Sequence, residues 1–476
     1  MRKASKRRNG ARIAAAVFAV FLLWLLLATL IPVTHHKEVD PEFKAQIAQQ
    51  QYYSDTVGTE RVRCVDDNTE ALIRRLQLIE NAQKEICFST FEMREDNSGT
   101  DVMAALLHAA DRGVKVRMLV DGISGVMRLS TSSLMKGLAG HENVEVGLDN
   151  PPSIKQVANP WTIQMRMHDK YLIIDQQMYL LGGRNTYDYF LGDYGEVKNF
   201  DRELLVWQTE QRTGSSMEQL RDYFSQVWQQ PCCRVMQGHK GERGEDARHQ
   251  LEQHYQELKA LYPSAFESVD WQSITMETNR ITLLSNPIEP ENKAPELWYT
   301  MVQLMRQEED VLIQTPYIIC SDAMYQDLRD LNNKQERVRI ITNSVESGAN
   351  PWGCAEYLNN KDDILDTGTP VYEFVGGNSI HTKSVVLGNR ASLVGSYNMD
   401  MRSTYLDTEL MLMVDSVQLN EQLRNSVQSD IDKSRIALPD GTVEYGAAYV
   451  PMEWPLNRRI GYTIFRALII PLRNLL

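Results

Sequence analysis

The longest uninterrupted apolar run comes first: Ile13 to Thr34 carries no charged side chain and is long enough to span a bilayer as a helix. Arg2, Lys3, Lys6, Arg7, Arg8 and Arg12 precede it, which predicts a signal anchor with a cytoplasmic N-terminus and the rest of the chain on the outer side of the cell membrane. Beyond it, short apolar runs alternate with amphipathic ones. Ile86–Phe91 reads as a strand, Val102–Arg112 as a helix and Val114–Val120 as a strand; Val311–Ile319, Ala323–Asn332 and Val338–Ile341 repeat that order. Such alternation predicts α/β units around largely buried sheets, and its recurrence predicts two lobes.

These patterns divide the chain into five parts. Residues 1–40 form the basic N-terminus and anchor, 41–235 a first lobe, 236–275 a polar linker and helix, 276–440 a second lobe, and 441–476 a basic amphipathic tail. Gln237 to Asp246 is polar throughout and, with the helical-looking Ala247 to Tyr262 that follows it, reads as a solvated linker and helix. In the tail, Leu456 to Ile470 mixes Arg with aliphatic and aromatic residues, which suits an anionic lipid interface; docking on the protein itself is the alternative.

The chemistry lies in a doubled constellation. His168, Lys170, Gly182, Gly183 and Asn185 recur 213 residues downstream as His381, Lys383, Gly395, Ser396 and Asn398. Within each copy the His and Lys stand two apart in a strand-like run, so period-two geometry points both to one face. Asp175-Gln176 and Gly388-Asn389 read as two-residue turns. Counted from those turns, Gly183 falls opposite His168 and Ser396 opposite His381, small residues that let a bulky substrate group approach the backbone. Asn185 and Asn398 then sit where a side-chain amide donates to a phosphate oxygen.

Both segments resemble the paired HxK(x)4D(x)6GxxN signatures of the phospholipase D superfamily. Gly395-Ser396-Tyr397-Asn398-Met399-Asp400-Met401-Arg402-Ser403 is further similar to the GSxNxDxRS stretch of bacterial cardiolipin synthases. The resemblance implies two phospholipase D-like lobes sharing one active site. It also implies a two-step displacement at phosphorus, in which one imidazole forms a phosphohistidine and the other acts as acid and base. Lys170, Lys383, Asn185 and Asn398 would neutralise and orient the phosphate oxygens, so no metal or cofactor is called for. The signature's Asp is Asp175 in the first copy but Gly388 in the second, a position that the hairpin count places at the turn.

Glu203 and Glu409, each opening an apolar strand, are candidates to fix the histidine tautomers. By resemblance they pair across the lobes, Glu409 with His168 and Glu203 with His381, with Asp201 as the alternative to Glu203. The residues alone leave the nucleophile open; the resemblance favours His168, with His381 as acid/base.

A formal net charge of −13 disfavours a nuclease, whose groove must be basic. The expected partners are therefore a phospholipid and the membrane, not nucleic acid. Six cysteines, Cys64, Cys87, Cys232, Cys233, Cys320 and Cys354, have the means to form disulfides outside the cytosol, although Cys87 and Cys320 fall in buried-looking strands. The expected activity is phosphatidyl transfer between two phosphatidylglycerol molecules, giving cardiolipin and glycerol. A phospholipase D hydrolase releasing phosphatidic acid and a non-catalytic lipid-binding protein are the alternatives.

Overall fold

The computed structural model describes residues 2–333 and 337–476, without the side chains of residues 2–11 and 14. The side chains of the cations from Arg2 to Arg8 are therefore outside the description. Fourteen strands form the two main sheets apart from their edge additions. In the first lobe they are β1 (Glu60–Val65), β2 (Glu85–Thr90), β3 (Lys115–Asp121), β4 (Val144–Asp149), β5 (Tyr171–Ile174), β6 (Met178–Gly182) and β7 (Glu203–Gln208). In the second they are β8 (Arg280–Ser285), β9 (Val311–Gln314), β10 (Val338–Asn343), β11 (Val371–Phe374), β12 (Ser384–Leu387), β13 (Ala391–Gly395) and β14 (Leu410–Asp415). Their orders are β1-β7-β6-β5-β2-β3-β4 and β8-β14-β13-β12-β9-β10-β11, one topology repeated. Within each, β2–β3–β4 and β9–β10–β11 run parallel while the hairpin strands run antiparallel.

The long helices are α1 (Arg2–Leu30), α2 (Asn68–Asn81), α3 (Asn97–Asp111), α4 (Ser216–Trp228), α5 (Glu242–Leu261), α6 (Glu296–Met305), α7 (Asp322–Asn332), α8 (Pro351–Leu365), α9 (Val417–Ile431) and α10 (Leu456–Ile469). Most of the Ile13–Thr34 run lies in α1, as the apolar pattern required. Between the lobes, α4 packs on β8 and α9 on β1, so each lobe sends a helix onto the other's sheet. Leu220 and Phe224 of α4 and Leu423 and Val427 of α9 join both sheets in one buried apolar cluster. That shared core fixes how the two halves of the site meet.

Four expectations shift. The expected strand Val311–Ile319 breaks after Gln314, because Pro316 has no N–H to give the ladder; Ile318–Ile319 instead pairs with Met399–Asp400. The hairpin turns hold three residues each, since Ile174 pairs with Met178 and Leu387 with Ala391. The register therefore moves by one, and Gly182 and Gly395 donate their N–H groups to Lys170 and Lys383. The segment read as solvated is anchored: Leu251, Tyr255 and Leu258 of α5 recur at helical spacing and are buried in the first lobe's core. In the described residues all six cysteines are free, with Cys64, Cys87, Cys320 and Cys354 buried among their neighbours.

Candidate active site

The chain enters β5 and β12 from short irregular segments, and these carry the histidines. Residues 168–170 and 381–383 precede the strands rather than belonging to them. Each segment is tied to the opposite lobe by main-chain hydrogen bonds. His168 N–H donates to Thr408 O (3.3 Å) and Thr408 N–H to Arg166 O (2.9 Å), while His381 N–H donates to Phe200 O (2.6 Å). Ser379–Ile380 and Asn199–Phe200 add a two-stranded parallel sheet across the same junction. Both histidines thus sit on the seam between lobes.

Each imidazole is held by a carboxylate from the other lobe. Glu409 Oε1 lies 2.8 Å from His168 Nδ1, and Asp201 Oδ2 lies 2.6 Å from His381 Nδ1. An Nδ1–H donated to a carboxylate leaves the lone pair on Nε2, the nitrogen a substrate meets. A phenyl edge supports each ring at 4.9 Å between centroids, Phe91 on His168 and Phe190 on His381. Ser403 donates to Glu409 Oε1 (2.6 Å) and Ser396 to Glu409 Oε2. Burial pushes the Glu409 carboxyl up, yet three donors converge on its two oxygens, an arrangement suited to an ionised carboxylate.

Glu203 does not occupy the place expected for it. Its carboxylate is bound to the Arg75 guanidinium through both oxygens, with Arg184 3.8 Å away, and all three side chains are buried. Asp201 takes the position beside His381. The reason is a longer connection: Gly183 N–H meets Arg202 O and Ser396 N–H meets Leu410 O, which makes Asp201, not Glu203, the counterpart of Glu409.

The glycines also serve another purpose than substrate approach. A Cβ on Gly183 would lie 2.4 Å from Asp201 Oδ1, one on Gly182 2.3 Å from Arg202 O, and one on Gly395 2.0 Å from Leu410 O. These positions are small because the neighbouring strand and its carboxylate crowd them. Ser396, the counterpart of Gly183, instead binds Glu409 directly. Asp175 is likewise remote in role: its carboxylate accepts the main-chain N–H groups of Gln83 (2.6 Å), Lys84 (2.8 Å) and Glu85 (2.8 Å), tying the hairpin turn to the start of β2. In the second lobe Gly388 has φ +50°, and a Cβ there would meet Glu308 Oε2 at 2.1 Å, so a carboxylate already fills that space.

The two lysines lie within the same enclosure. Lys170 Nζ donates to His168 O (2.5 Å), and Lys383 Nζ contacts His381 at O and Nδ1 and stands 3.2 Å from Nε2. Burial lowers Lys170 to about 7 and Lys383 to about 8, partly offset by Glu409 and Asp201. Burial and the lysine charges lower His381 to about 4 and His168 well below its ordinary value, which favours the neutral form of both rings. Burial would raise the Asp201 carboxyl, but Lys383 and His381 outweigh it and hold it low. Asn185 Oδ1 accepts the Glu92 N–H (3.3 Å), leaving its amide NH2 to donate; Asn398 is buried with its Oδ1 unpartnered. The site is an enclosure of cations, amide donors and two neutral imidazoles, a setting for a phosphate group. Among the described residues no three His, Cys, Asp or Glu side chains converge as a metal site requires.

Asp169, between the motif His and Lys, went unremarked in the sequence. It is buried and accepts from Tyr223 (2.8 Å) and from Thr408 of the other lobe (2.9 Å), and burial raises it to about 6. Its counterpart is Thr382, so the duplication of spacing gave no sign of it.

Paired HxK segments on a duplicated α/β fold define the phospholipase D class. The family model described as "Cardiolipin synthase, PLD-like domain" matches residues 76–228 and 301–431, more than half of the chain, and the protein belongs to that family. It is a phospholipase D-type phosphatidyltransferase. Among relatives, cardiolipin synthase C of Escherichia coli is 24% identical over 414 residues, covering 77% of this chain and 84% of its own. Cardiolipin synthase A of Cronobacter sakazakii is 27% identical over 380 residues, covering 78% and 68%. In fold the chain is similar to the crystal structure of phosphatidylserine synthase from Haemophilus influenzae, with a TM-score of 0.62 at 15% identity over 91% of this chain and 99% of that one.

Proposed function

We propose that the enzyme joins two phosphatidylglycerol molecules into cardiolipin, releasing glycerol, through a phosphohistidine on His168. The observation that carries this reading is the reciprocal pairing: two imidazoles, each with Nδ1 held by a carboxylate of the other lobe, beside two buried lysines. His168 Nε2 has no protein partner among the described residues, whereas Lys383 stands 3.2 Å from His381 Nε2, which favours His168 as nucleophile. The Nε2 lone pair attacks phosphorus, the P–O bond to the headgroup glycerol breaks, and the alkoxide takes a proton from His381. A phosphate oxyanion between Lys170 and Lys383 restores the cationic forms, and Lys383 then supplies the proton that a neutral His381 lacks. In the second step His381 takes the proton of the acceptor hydroxyl as that oxygen attacks phosphorus and the P–N bond breaks, regenerating His168.

The acceptor distinguishes this reading from hydrolysis, in which water takes the same place. Relatives named as cardiolipin synthases and an apolar helix that holds the enzyme at its lipid favour the synthase. Arg12 and the cations before it favour a cytoplasmic N-terminus and a catalytic part on the outer side of the cell membrane. Purified enzyme incubated with phosphatidylglycerol vesicles should yield cardiolipin and glycerol by mass spectrometry, with no product from His168→Ala or His381→Ala. Phosphatidic acid as the sole product would make it a hydrolase, and lipid binding without turnover would make it the non-catalytic scaffold.

A further inference from the structure

The end of α1 does not stand clear of the body. Leu25, Ala28, Thr29 and Leu30 are half-buried, although the apolar run continues to Thr34. The helix rests against residues 160–164 of the first lobe and 470–475 of the C-terminal tail. Leu25 precedes the end of α1 by five residues, roughly 7.5 Å at the helical rise. A span seated in lipid therefore brings both flanking segments to the depth of its own last turns, where Val33 packs in one cluster with Met165, three residues before His168, and Met401, three residues after Asn398.

Residues 470–475 follow directly on α10, and residues 160–164 pack beside the turn that carries Ile154; both neighbours expose apolar side chains. On α10, Tyr462, Phe465 and Ile469 dock against the second lobe, while Ile460, Ile464 and Leu468, four residues apart, remain 55%, 57% and 53% exposed. That is a continuous aliphatic stripe on the face turned away from the docked residues; Arg459 and Arg466 lie outside it, bonded to Trp454 O and Asn359 Oδ1. In the first lobe, Met127 and Ile154 are 69% and 85% exposed, with Arg128 and Lys155 next to them in sequence. Exposed aliphatic side chains on elements that also carry basic residues suit the acyl–headgroup boundary of an anionic bilayer.

We propose that the α10 stripe and Ile154 enter the leaflet at the C-terminal end of α1, so that the enzyme lies partly immersed beside its active-site segments. The occupant of both surfaces is the bilayer itself. This deepens the phospholipid reading, since a lipid then reaches the histidines without leaving the leaflet, but the docking can be measured without turnover. Full-length protein in phosphatidylglycerol/phosphatidylcholine nanodiscs would carry an environment-sensitive fluorescent amino acid at 464, at 154, or at 417. Val417 is 50% exposed at the end of β14 far from Glu409, and serves as the water-facing reference. Blue-shifted emission and at least twofold stronger quenching by headgroup-proximal doxyl lipid at 464 and 154 than at 417 is the expected result. Emission at 464 and 154 matching that at 417 overturns the proposal.

A second arm uses Ile460→Asp/Ile464→Asp, residues outside the catalytic machinery. Turnover of bilayer phosphatidylglycerol should fall at least tenfold while that of monomeric dihexanoyl phosphatidylglycerol changes less than twofold. Equal turnover of the bilayer substrate by variant and wild type would contradict the docking role. If wild type turns over neither lipid, the functional reading fails while the fluorescence still decides the docking.

Discussion

Asp201 and Glu203 are two residues apart, both buried and both ion-paired, yet the structure gives them different work. Asp201→Asn keeps the shape but replaces a charge-assisted bond to His381 Nδ1 with a neutral one and removes the counter-charge 3.8 Å from Lys383. Loss of an oriented acid/base is worth about 10²- to 10⁴-fold in rate, or about 3–5 kcal/mol of barrier at about 1.4 kcal/mol per decade. Folding should suffer less than in the partner variant. Glu203→Gln leaves the Arg75 guanidinium, only 5% exposed, without its carboxylate. Breaking such a buried pair costs about 3–5 kcal/mol, on the order of 10 °C in melting temperature. The assay is paired: kcat on dihexanoyl phosphatidylglycerol and the unfolding midpoint from intrinsic fluorescence. Asp201→Asn should lose turnover with a nearly native midpoint, and Glu203→Gln the reverse at temperatures where it is folded. Full turnover in Asp201→Asn, with turnover abolished in a normally stable Glu203→Gln, would refute the assignment.

Phosphate-analogue binding should take up protons at pH 8, because Lys170 and Lys383, lowered to about 7 and about 8, regain their charge beside an anion; calorimetry in buffers of different ionisation enthalpy measures this, and zero uptake would contradict it. The same depression means that the unfolded chain binds more protons above about pH 7, so these lysines make the enzyme more stable as pH rises from about 7 toward about 10, a trend Lys170→Met should weaken in pH-dependent unfolding. Gly183→Ala would press a methyl against Asp201 and should cost about 1–3 kcal/mol of stability together with most of the activity, read by melting and turnover. Asp175→Gly should lower stability by about 1–3 kcal/mol while leaving kcat within about twofold, since it removes main-chain acceptors at a turn and nothing from the site.

The duplicated His, Lys and Asn positions were legible because they depend on short-range spacing, and the repeated strand–helix–strand order announced two lobes for the same reason. Asp201 was harder to place. The chain takes 18 residues from Gly183 to Asp201 but 13 from Ser396 to Glu409, so the outward similarity of Glu203-Leu204-Leu205 to Glu409-Leu410-Met411 aligns the wrong acid. The crowding behind Gly182, Gly183 and Gly395 comes from strands β7 and β14, remote in sequence, and a glycine pair carries no mark of which neighbour requires it. Tyr255 and Leu258 of α5 did show a buried stripe, but the charged residues around them outweighed it in a reading by composition.

The covalent step tests the account most directly. Wild-type enzyme mixed with phosphatidylglycerol, quenched in alkali within a few milliseconds and digested, should yield a phosphatidyl adduct on the peptide containing His168, formed with a matching burst of free glycerol. An adduct on the His381 peptide would reverse the two roles, and glycerol release with no adduct on either histidine would contradict a phosphohistidine route.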